Sequence, residues 1–465
     1  MKVTFPKDFM WGAATSGVQT EGNFEKTNKS IWDYWFETEP ERFWGGISSA
    51  EVCETYQRYE EDVRLMKEIG MNSFRTSIQW SRLIKNFETG EIDEQAVRFY
   101  NQYIDAMIAN GVEPMINLYH FDMPIELQEQ YGGFESKIVV DKFVEYAVAC
   151  FQLFGDRVKY WATFNEPIVP VEGGYLYDFH YPAKKDGKLA VQVAYNTMLA
   201  HAKTVQAFRG LQLEAEIGTI LNLTPTYTCD EQPHNKLAAE YADLFFNRSF
   251  LDPMVKGEFP AELVSILRAL HALPEYTEAE IEIILNAPLD FIGVNYYVPR
   301  RVRARTTAYE LDYFTPEMFF EYYIEEGARF NPFRDNNEIK PVAIYDIAQN
   351  IQHNYGNIKW FLSEIGIAMD LESEGAPIDG VVDDSFRIAL LEEHLVQLAK
   401  AMEAGANCFG VHNWTFIDCW SWLNSFKRRY GFYRLDLETK NRIPKKSGQW
   451  LKSIVENQGF EYNDK

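Results

Sequence analysis

Eight short apolar runs alternate with amphipathic stretches along the 465 residues of the chain, and this alternation predicts an α/β fold. Each run is bounded by turn or charged residues and is rich in apolar or β-branched residues, as buried strands are. The predicted strands are residues 11–16, 73–78, 113–118, 160–164, 216–221, 291–297, 359–363 and 408–414. Strands separated by helices pair in parallel, so these eight predict a (β/α)8 barrel (a TIM barrel) with extended βα loops, spanning residues 1–465 as one domain.

Amphipathic stretches between the runs predict the helices of this barrel. In residues 53–69, apolar side chains recur every three or four positions, which is the period of a helix with one buried face. Residues 96–110 and 384–404 are followed by Gly111 and Gly405, and glycine is common just after a helix. An open doubly wound sheet is the alternative architecture, although no GxGxxG sequence follows the first strand to favour it.

Composition excludes several classes of protein. The chain carries 69 Asp and Glu against 45 Lys and Arg, a formal net charge of −24, whereas binding to nucleic acid normally needs a basic surface. Its five cysteines are scattered and form no CxxC, which disfavours a disulfide framework or a zinc site. The N-terminal sequence MKVTFPKDFMWG has no apolar core and no apolar run of about 18 residues occurs, so we expect a soluble cytoplasmic protein without a membrane partner. Homo-oligomerisation stays open.

Reactive residue types collect at the predicted strand ends, where the chemistry of a (β/α)8 barrel is located. These residues are Gln19, Glu21, Arg75, His120, Asp122, Asn165, Glu166, Asn295, Tyr297, Glu364 and Trp414. Cleavage of a glycosidic bond needs two carboxyl groups, one protonated and one ionised, and Glu166 and Glu364 could supply them. The alternative is that both are ordinary surface acids.

The residues around the two glutamates carry a family resemblance. Residues 161–167, WATFNEP, resemble the TFNEP signature of glycoside hydrolase family 1, and residues 362–366, LSEIG, resemble its nucleophile motif, usually ITENG. Further segments resemble the family in the same order, namely FMWGAATS at 9–16, RTSIQWSR at 75–82, HFDMP at 120–124 and NYY at 295–297. The resemblance covers nearly the whole chain, and it implies a (β/α)8 barrel that hydrolyses β-glycosides with retention of configuration.

The resemblance also implies a role for each residue. Glu166 matches the general acid/base and Glu364 the nucleophile, while Arg75, Asn295 and Tyr297 match residues that support the nucleophile. The residues that match the surroundings of the first sugar are Gln19, His120, Asn165, Trp414 and Trp422. This mechanism uses carboxyl groups and water, so no metal or organic cofactor is expected. A core histidine at 120, a structural ion pair at Arg75 and a core tryptophan at 414 are the alternatives.

One departure from the family pattern concerns the substrate. Members acting on neutral sugars usually have a Glu where this chain has Ser421, and that Glu binds the outer hydroxyls of the sugar. Here Ser421 is followed by Lys427, Arg428 and Tyr430, which resembles the phosphate-binding loop of the 6-phospho-β-glycosidases. Hydroxyl donors and a cation without a carboxylate suit a phosphate. In that subgroup the cation is usually a lysine, and both Lys427 and Arg428 match it.

A phosphorylated β-glucoside, a phosphorylated β-galactoside or both are therefore the expected small-molecule substrates. Trp422 favours galactosides, since phospho-galactosidases often have Trp there. Phosphorylated disaccharides arise inside bacteria during phosphotransferase uptake, which fits a cytoplasmic protein. A glycosidase of neutral sugars, a non-catalytic sugar-binding barrel and a merely solvated basic turn are the alternatives. The four arginines within residues 300–305 predict either an anion-attracting site mouth or a solvated loop.

Overall fold

The computed structural model describes residues 1–334 and 336–463, and its centre is a closed barrel of eight parallel strands. The strands are β1 (Met10–Ala14), β2 (Ser73–Ser77), β3 (Glu113–Tyr119), β4 (Tyr160–Asn165), β5 (Glu216–Asn222), β6 (Phe291–Tyr296), β7 (Trp360–Ile365) and β8 (Cys408–Trp414). Each strand pairs with the next along the chain, and β8 pairs with β1. The predicted barrel is confirmed and the open sheet is wrong.

Helices surround the barrel, including those predicted from periodicity. The α-helices are Gly17–Thr20, Ile31–Thr38, Thr55–Glu68, Trp80–Leu83, Glu94–Ala109, Ile125–Tyr131, Lys137–Phe154, Ile168–Val171, Gly187–Leu211, Pro233–Asp243, Ser249–Leu251, Ala261–Ala269, Glu278–Leu285, Val342–Asn354, Ser385–Glu403 and Lys446–Asn457. Asp93 illustrates how local sequence starts a helix, because its side chain accepts hydrogen bonds from the backbone N–H groups of Gln95 and Ala96. Over the described part of the chain, none of the helices has the length and apolarity needed to cross a membrane.

Short strands decorate the loops outside the barrel. They are Lys2–Thr4 with Gly459–Glu461, Ile84–Asn86 with Glu91–Ile92, Thr226–Thr228 with Arg300–Arg303 and Glu321–Tyr322, Met369–Asp370 with Arg428–Arg429, and Tyr433–Leu435 with Arg442–Pro444. Two of these pairings matter for the site. Arg300–Arg303 continues the chain beyond β6, and Met369–Asp370 joins the loop after β7 to the loop after β8. The strand-end loops are therefore held to one another by backbone hydrogen bonds.

The barrel interior changes from apolar to polar along its axis. A buried apolar cluster of Met115, Ala162, Ile220, Phe291 and Phe361 fills one part of the interior. Polar side chains follow towards the carboxyl ends of the strands, where the chain places asparagines, glutamates and a histidine. Because the apolar layer closes the barrel, a ligand can approach these polar groups only from the carboxyl ends of the strands.

Candidate active site

A pocket of about 600 Å³ lies at the carboxyl ends of the barrel strands. The sequence-predicted residues on its wall are Gln19, His120, Asn165, Glu166, Asn295, Tyr297, Glu364, Trp414, Ser421, Trp422 and Tyr430. Arg75 is fully buried beside Glu364 and does not form part of the wall. Glu21 and Asp122 also follow strands but do not line the pocket. Glu21 accepts a hydrogen bond from Arg82, and Asp122 accepts one from the backbone N–H of Trp80.

Two donors hold the Glu364 carboxylate near the end of β7. The guanidinium of Arg75 on β2 forms an ion pair with its Oε1, and the phenol of Tyr297 donates to its Oε2 at 2.6 Å. Burial raises the pKa of Tyr297 well above its usual range, so the phenol stays protonated and able to donate. A cation and a hydrogen-bond donor both favour the ionised form of a carboxyl group. The Glu364 carboxylate is therefore held by two donors at the pocket wall.

Glu166 follows β4 directly and is arranged differently. Its φ of 44° lies in the left-handed region, which is uncommon for a residue with a side chain and concentrates at functional sites. Asn295 donates to its Oε1 at 2.9 Å. Loss of solvation in the pocket, and then the nearby Glu364, raise the pKa of Glu166 to about 8. Glu166 therefore carries a proton at neutral pH, as a general acid must.

Asn165 is oriented by the same network. Its Oδ1 accepts hydrogen bonds from Arg75 at 3.0 Å and from Asn295 at 3.1 Å, so its amide nitrogen is directed the other way, to within 3.2 Å of Nε2 of His120. Burial, and then Arg75, hold the pKa of His120 well below its usual range. The pocket therefore presents an amide donor and a neutral imidazole to a ligand.

Aromatic rings and Gln19 form a further part of the pocket wall. Trp414 stacks on the ring of His120 with centroids 5.9 Å apart, and Trp422 packs on Trp32 at 4.6 Å. Gln19 donates to the backbone carbonyl of Trp420 at 2.7 Å. This bond joins the loop after β1 to the loop after β8. Apolar ring faces beside polar groups are suited to the faces and edges of a sugar.

The predicted phosphate-binding residues divide into two groups. Ser421 and Tyr430 line the pocket, whereas Lys427 and Arg428 do not. The guanidinium of Arg428 donates hydrogen bonds to the carboxylate of Asp370 and to the backbone carbonyl of Phe333. Lys427 is half-buried. The binding of phosphate by each of these residues stays a prediction.

Several pocket residues escaped the sequence analysis because no motif marks them. His180 lies against Trp32 and Trp422, and burial lowers its pKa to about 3. Arg334 lines the pocket and donates from Nη1 to Oη of Tyr430 at 3.2 Å. Arg334 lies in the long segment between β6 and β7 and belongs to none of the family motifs. Its position in the sequence therefore could not show that it reaches this pocket.

The basic segment at residues 300–305 was predicted to be either an anion-attracting site mouth or a solvated loop, and it matches neither prediction fully. Arg300 lines the pocket, where it stacks 3.5 Å from the ring centre of Phe246 and donates to Glu172 at 3.1 Å. Arg301 and Arg303 pair with acidic residues outside the pocket. The segment is a strand whose first arginine reaches the site while others form ion pairs elsewhere.

Comparison with known proteins identifies the family. The model of glycosyl hydrolase family 1 matches residues 1–460. The chain belongs to glycosyl hydrolase family 1. It is 50% identical to the 6-phospho-beta-glucosidase GmuD of Bacillus subtilis over 98% of both chains, and 32% identical to beta-glucosidase A of Acetivibrio thermocellus over 99% of this chain and 100% of the relative. The solved family 1 β-glucosidase of Thermotoga maritima superposes with a TM-score of 0.91 at 30% identity, covering 99% of this chain and 100% of that one.

Membership of family 1 gives the two carboxyl groups a chemical setting. Retaining glycosidases use one carboxylate as nucleophile and one carboxyl group as acid and then base. Glu364 is held by a cation and a phenol donor, and the pKa of Glu166 is raised, which fits the predicted assignment of Glu364 as nucleophile and Glu166 as acid/base. Each group acquires its state from its neighbours, because the two side chains are chemically identical.

Replacing Tyr297 with Phe tests the hydrogen bond to Glu364. We expect kcat/KM on the best nitrophenyl β-glycoside to fall roughly 10- to 100-fold, because a hydrogen bond to a charged group contributes about 1.5–3 kcal/mol. The matched control is Tyr296→Phe, since the Tyr296 phenol donates to the backbone carbonyl of Lys340. Equal losses in the two variants would contradict the assignment.

The pH profile of kcat/KM tests the protonated state of Glu166. Its raised pKa means that the acid is available below that pKa and lost above it, so activity should fall as pH rises through about 8. A Glu166→Gln variant has no carboxyl group to ionise at this position. Its pH profile of kcat/KM with a dinitrophenyl glycoside should therefore lack the alkaline limb. Persistence of the same limb in the variant would assign it to another group.

Proposed function

We propose that this chain is a retaining 6-phospho-β-glycosidase that hydrolyses phosphorylated β-glucosides, β-galactosides or both. The observation that carries the proposal is Ser421 on the pocket wall, at the position where family members acting on neutral sugars usually have a Glu. A serine there removes a negative charge that would repel a phosphate. The 50% identity to a protein named 6-phospho-beta-glucosidase supports the same substrate class.

The reaction proceeds in two steps through a covalent glycosyl-enzyme. Glu364 attacks the anomeric carbon while Glu166 gives its proton to the leaving oxygen. The ester formed at Glu364 has no charge, so the upward influence of that charge on the pKa of Glu166 disappears. Glu166 then accepts a proton from water, which attacks the anomeric carbon and releases the sugar. Two inversions give net retention.

Two hydroxyl groups on the pocket wall are the proposed donors for the phosphate. The hydroxyls of Ser421 and Tyr430 lie on the wall, and Tyr430 is largely buried. A buried hydroxyl facing a dianion gives a strong, charge-assisted hydrogen bond. Lys427 and Arg428 are the cations that the sequence predicts for the phosphate, but neither lines the pocket, and Arg428 is bonded to Asp370 and to the backbone of Phe333.

The sugar's C4 edge and the cellular location complete the proposal. Trp422 favours galacto substrates, while the named relative is a glucosidase, so both sugars are included.

We further infer a cytoplasmic bacterial enzyme of one catalytic domain, because phosphorylated disaccharides arise inside bacteria during phosphotransferase uptake. No metal or organic cofactor takes part in the proposed reaction.

Hydrolysis of neutral sugars is the second candidate function. Relatives at 32% identity that are named beta-glucosidases favour it, as does the match to a β-glucosidase structure. It predicts an acid where this chain has Ser421, so the phosphorylated substrate is preferred. A non-catalytic sugar-binding barrel is disfavoured because both glutamates are present in the pocket.

A four-substrate assay separates these functions. Nitrophenyl β-glucoside and β-galactoside are each offered with and without a 6-phosphate, and we expect kcat/KM to be higher for the phosphorylated member of at least one pair. The physical reason is the lost carboxylate at Ser421 together with the hydroxyl donors. Faster turnover of both neutral substrates would sink the phosphate proposal, and no turnover by folded protein would favour the non-catalytic alternative.

A Glu364→Ala variant tests the nucleophile. We expect turnover to be abolished and then partly restored by azide, which enters the space left by the carboxylate and gives the α-glycosyl azide by one inversion. Glu372→Ala removes an exposed acid after the same strand and serves as the control. Undiminished hydrolysis by the Glu364 variant would mean that another group is the nucleophile.

A further inference from the structure

A phosphate bound beside Ser421 and Tyr430 needs a positive charge, but Lys427 and Arg428 of the loop after β8 do not line the pocket. Within residues 1–334 and 336–463, the arginines and lysines on the pocket wall are Arg300 and Arg334. Arg300 already donates to the carboxylate of Glu172 and to the hydroxyls of Thr224 and Tyr322. Its charge is thereby balanced and its donors are largely occupied. Arg334 is the remaining cation on the wall.

We propose that Arg334 is the residue that supplies the positive charge to the substrate phosphate, together with Tyr430 and Ser421, and that Arg428 positions it. This inference rests on the proposed function, and it names the residue whose charge binds the phosphate of the substrate. Arg334 lies on the pocket wall, although it belongs to the segment between β6 and β7 and not to the loop after β8. Two loops would therefore form the phosphate site jointly.

The hydrogen bond between Arg334 and Tyr430 leaves donors on both side chains that can bind an anion. Nη1 of Arg334 donates to Oη of Tyr430 at 3.2 Å. Since the phenol oxygen accepts this bond, its own proton is directed elsewhere and is free to be donated to a ligand. The guanidinium has five N–H groups, and those not used on Tyr430 can make paired hydrogen bonds to phosphate oxygens.

Arg428 holds the turn that carries Arg334. Its guanidinium donates to the backbone carbonyl of Phe333, the residue immediately before Arg334, and pairs with Asp370. The turn is also held internally, because Asn331 accepts from the backbone of Phe333 at 3.0 Å and donates to the carbonyl of Ala368 at 3.1 Å. Arg428 therefore joins the loop after β8 to the Arg334 turn, which makes it a positioning residue.

The test compares Arg334→Gln with wild type on nitrophenyl β-glucoside and its 6-phosphate. We expect the preference for the phosphorylated substrate, as the ratio of the two kcat/KM values, to fall roughly 10- to 100-fold through a higher KM. Inhibition by glucose 6-phosphate should weaken in parallel, and Arg334→Lys should recover part of both. Arg329→Gln is the matched control, since this arginine pairs with Glu393 outside the pocket.

Variants of the loop cations distinguish the possible origins of the charge. If Arg428 acts by positioning Arg334, the effects of Arg428→Gln and Arg334→Gln should not add in the double variant. Full additivity, or a large loss of preference in Lys427→Gln with none in Arg334→Gln, would overturn the inference. A wild-type enzyme that prefers the neutral substrate overturns the proposed function as well, whereas a phosphate preference unaffected by Arg334→Gln overturns only the role of Arg334.

Discussion

The buried ion pair between Arg75 and Glu364 is the interaction on which the rest of the site depends. Arg75 lies on β2 and Glu364 on β7, which are three strands apart in the closed barrel, so the pair spans the barrel interior. Removing one partner of such a pair leaves an uncompensated buried charge, at a cost of about 3–5 kcal/mol. The same guanidinium also fixes the amide of Asn165. One cation thus pairs with the Glu364 carboxylate and also orients the Asn165 amide.

The two glutamates differ only in what surrounds them. Glu364 meets a cation and the protonated phenol of Tyr297, whereas Glu166 meets an amide donor from Asn295 and the negative charge of Glu364. Loss of solvation, and then repulsion from Glu364, raise the pKa of Glu166, and in the proposed mechanism the repulsion ends when Glu364 becomes an ester. The Glu364 carboxylate that is paired with Arg75 therefore contributes, after burial, to the raised pKa of Glu166.

Sequence patterns predicted the barrel well because each strand is buried on both faces and appears as a short apolar run. Strand bounds differ from prediction by at most two residues, as at β1 and β7. The pocket residues within motifs were also found, because strand ends converge in a closed barrel. The direction of the Arg428 guanidinium could not be predicted, since it depends on Asp370 and Phe333 in other loops. Arg334 belongs to no motif and reaches the pocket only through the folded path of its segment.

The loop after β8 is held by a framework of buried charges that is separate from the ion pair of Arg75 and Glu364. Asp418 accepts hydrogen bonds from the backbone of Gly431 at 2.8 Å and from buried Lys445 at 2.9 Å, while Arg387 donates to the carbonyls of Gly431 and Arg429. These buried charges fix the backbone of the loop after β8 without involving its pocket-facing side chains. The solved β-glucosidase of Thermotoga maritima shares the barrel at a TM-score of 0.91 and 30% identity. Because this framework is separate from the pocket wall, we expect substitutions of wall side chains such as Ser421 to leave the backbone of the loop in place.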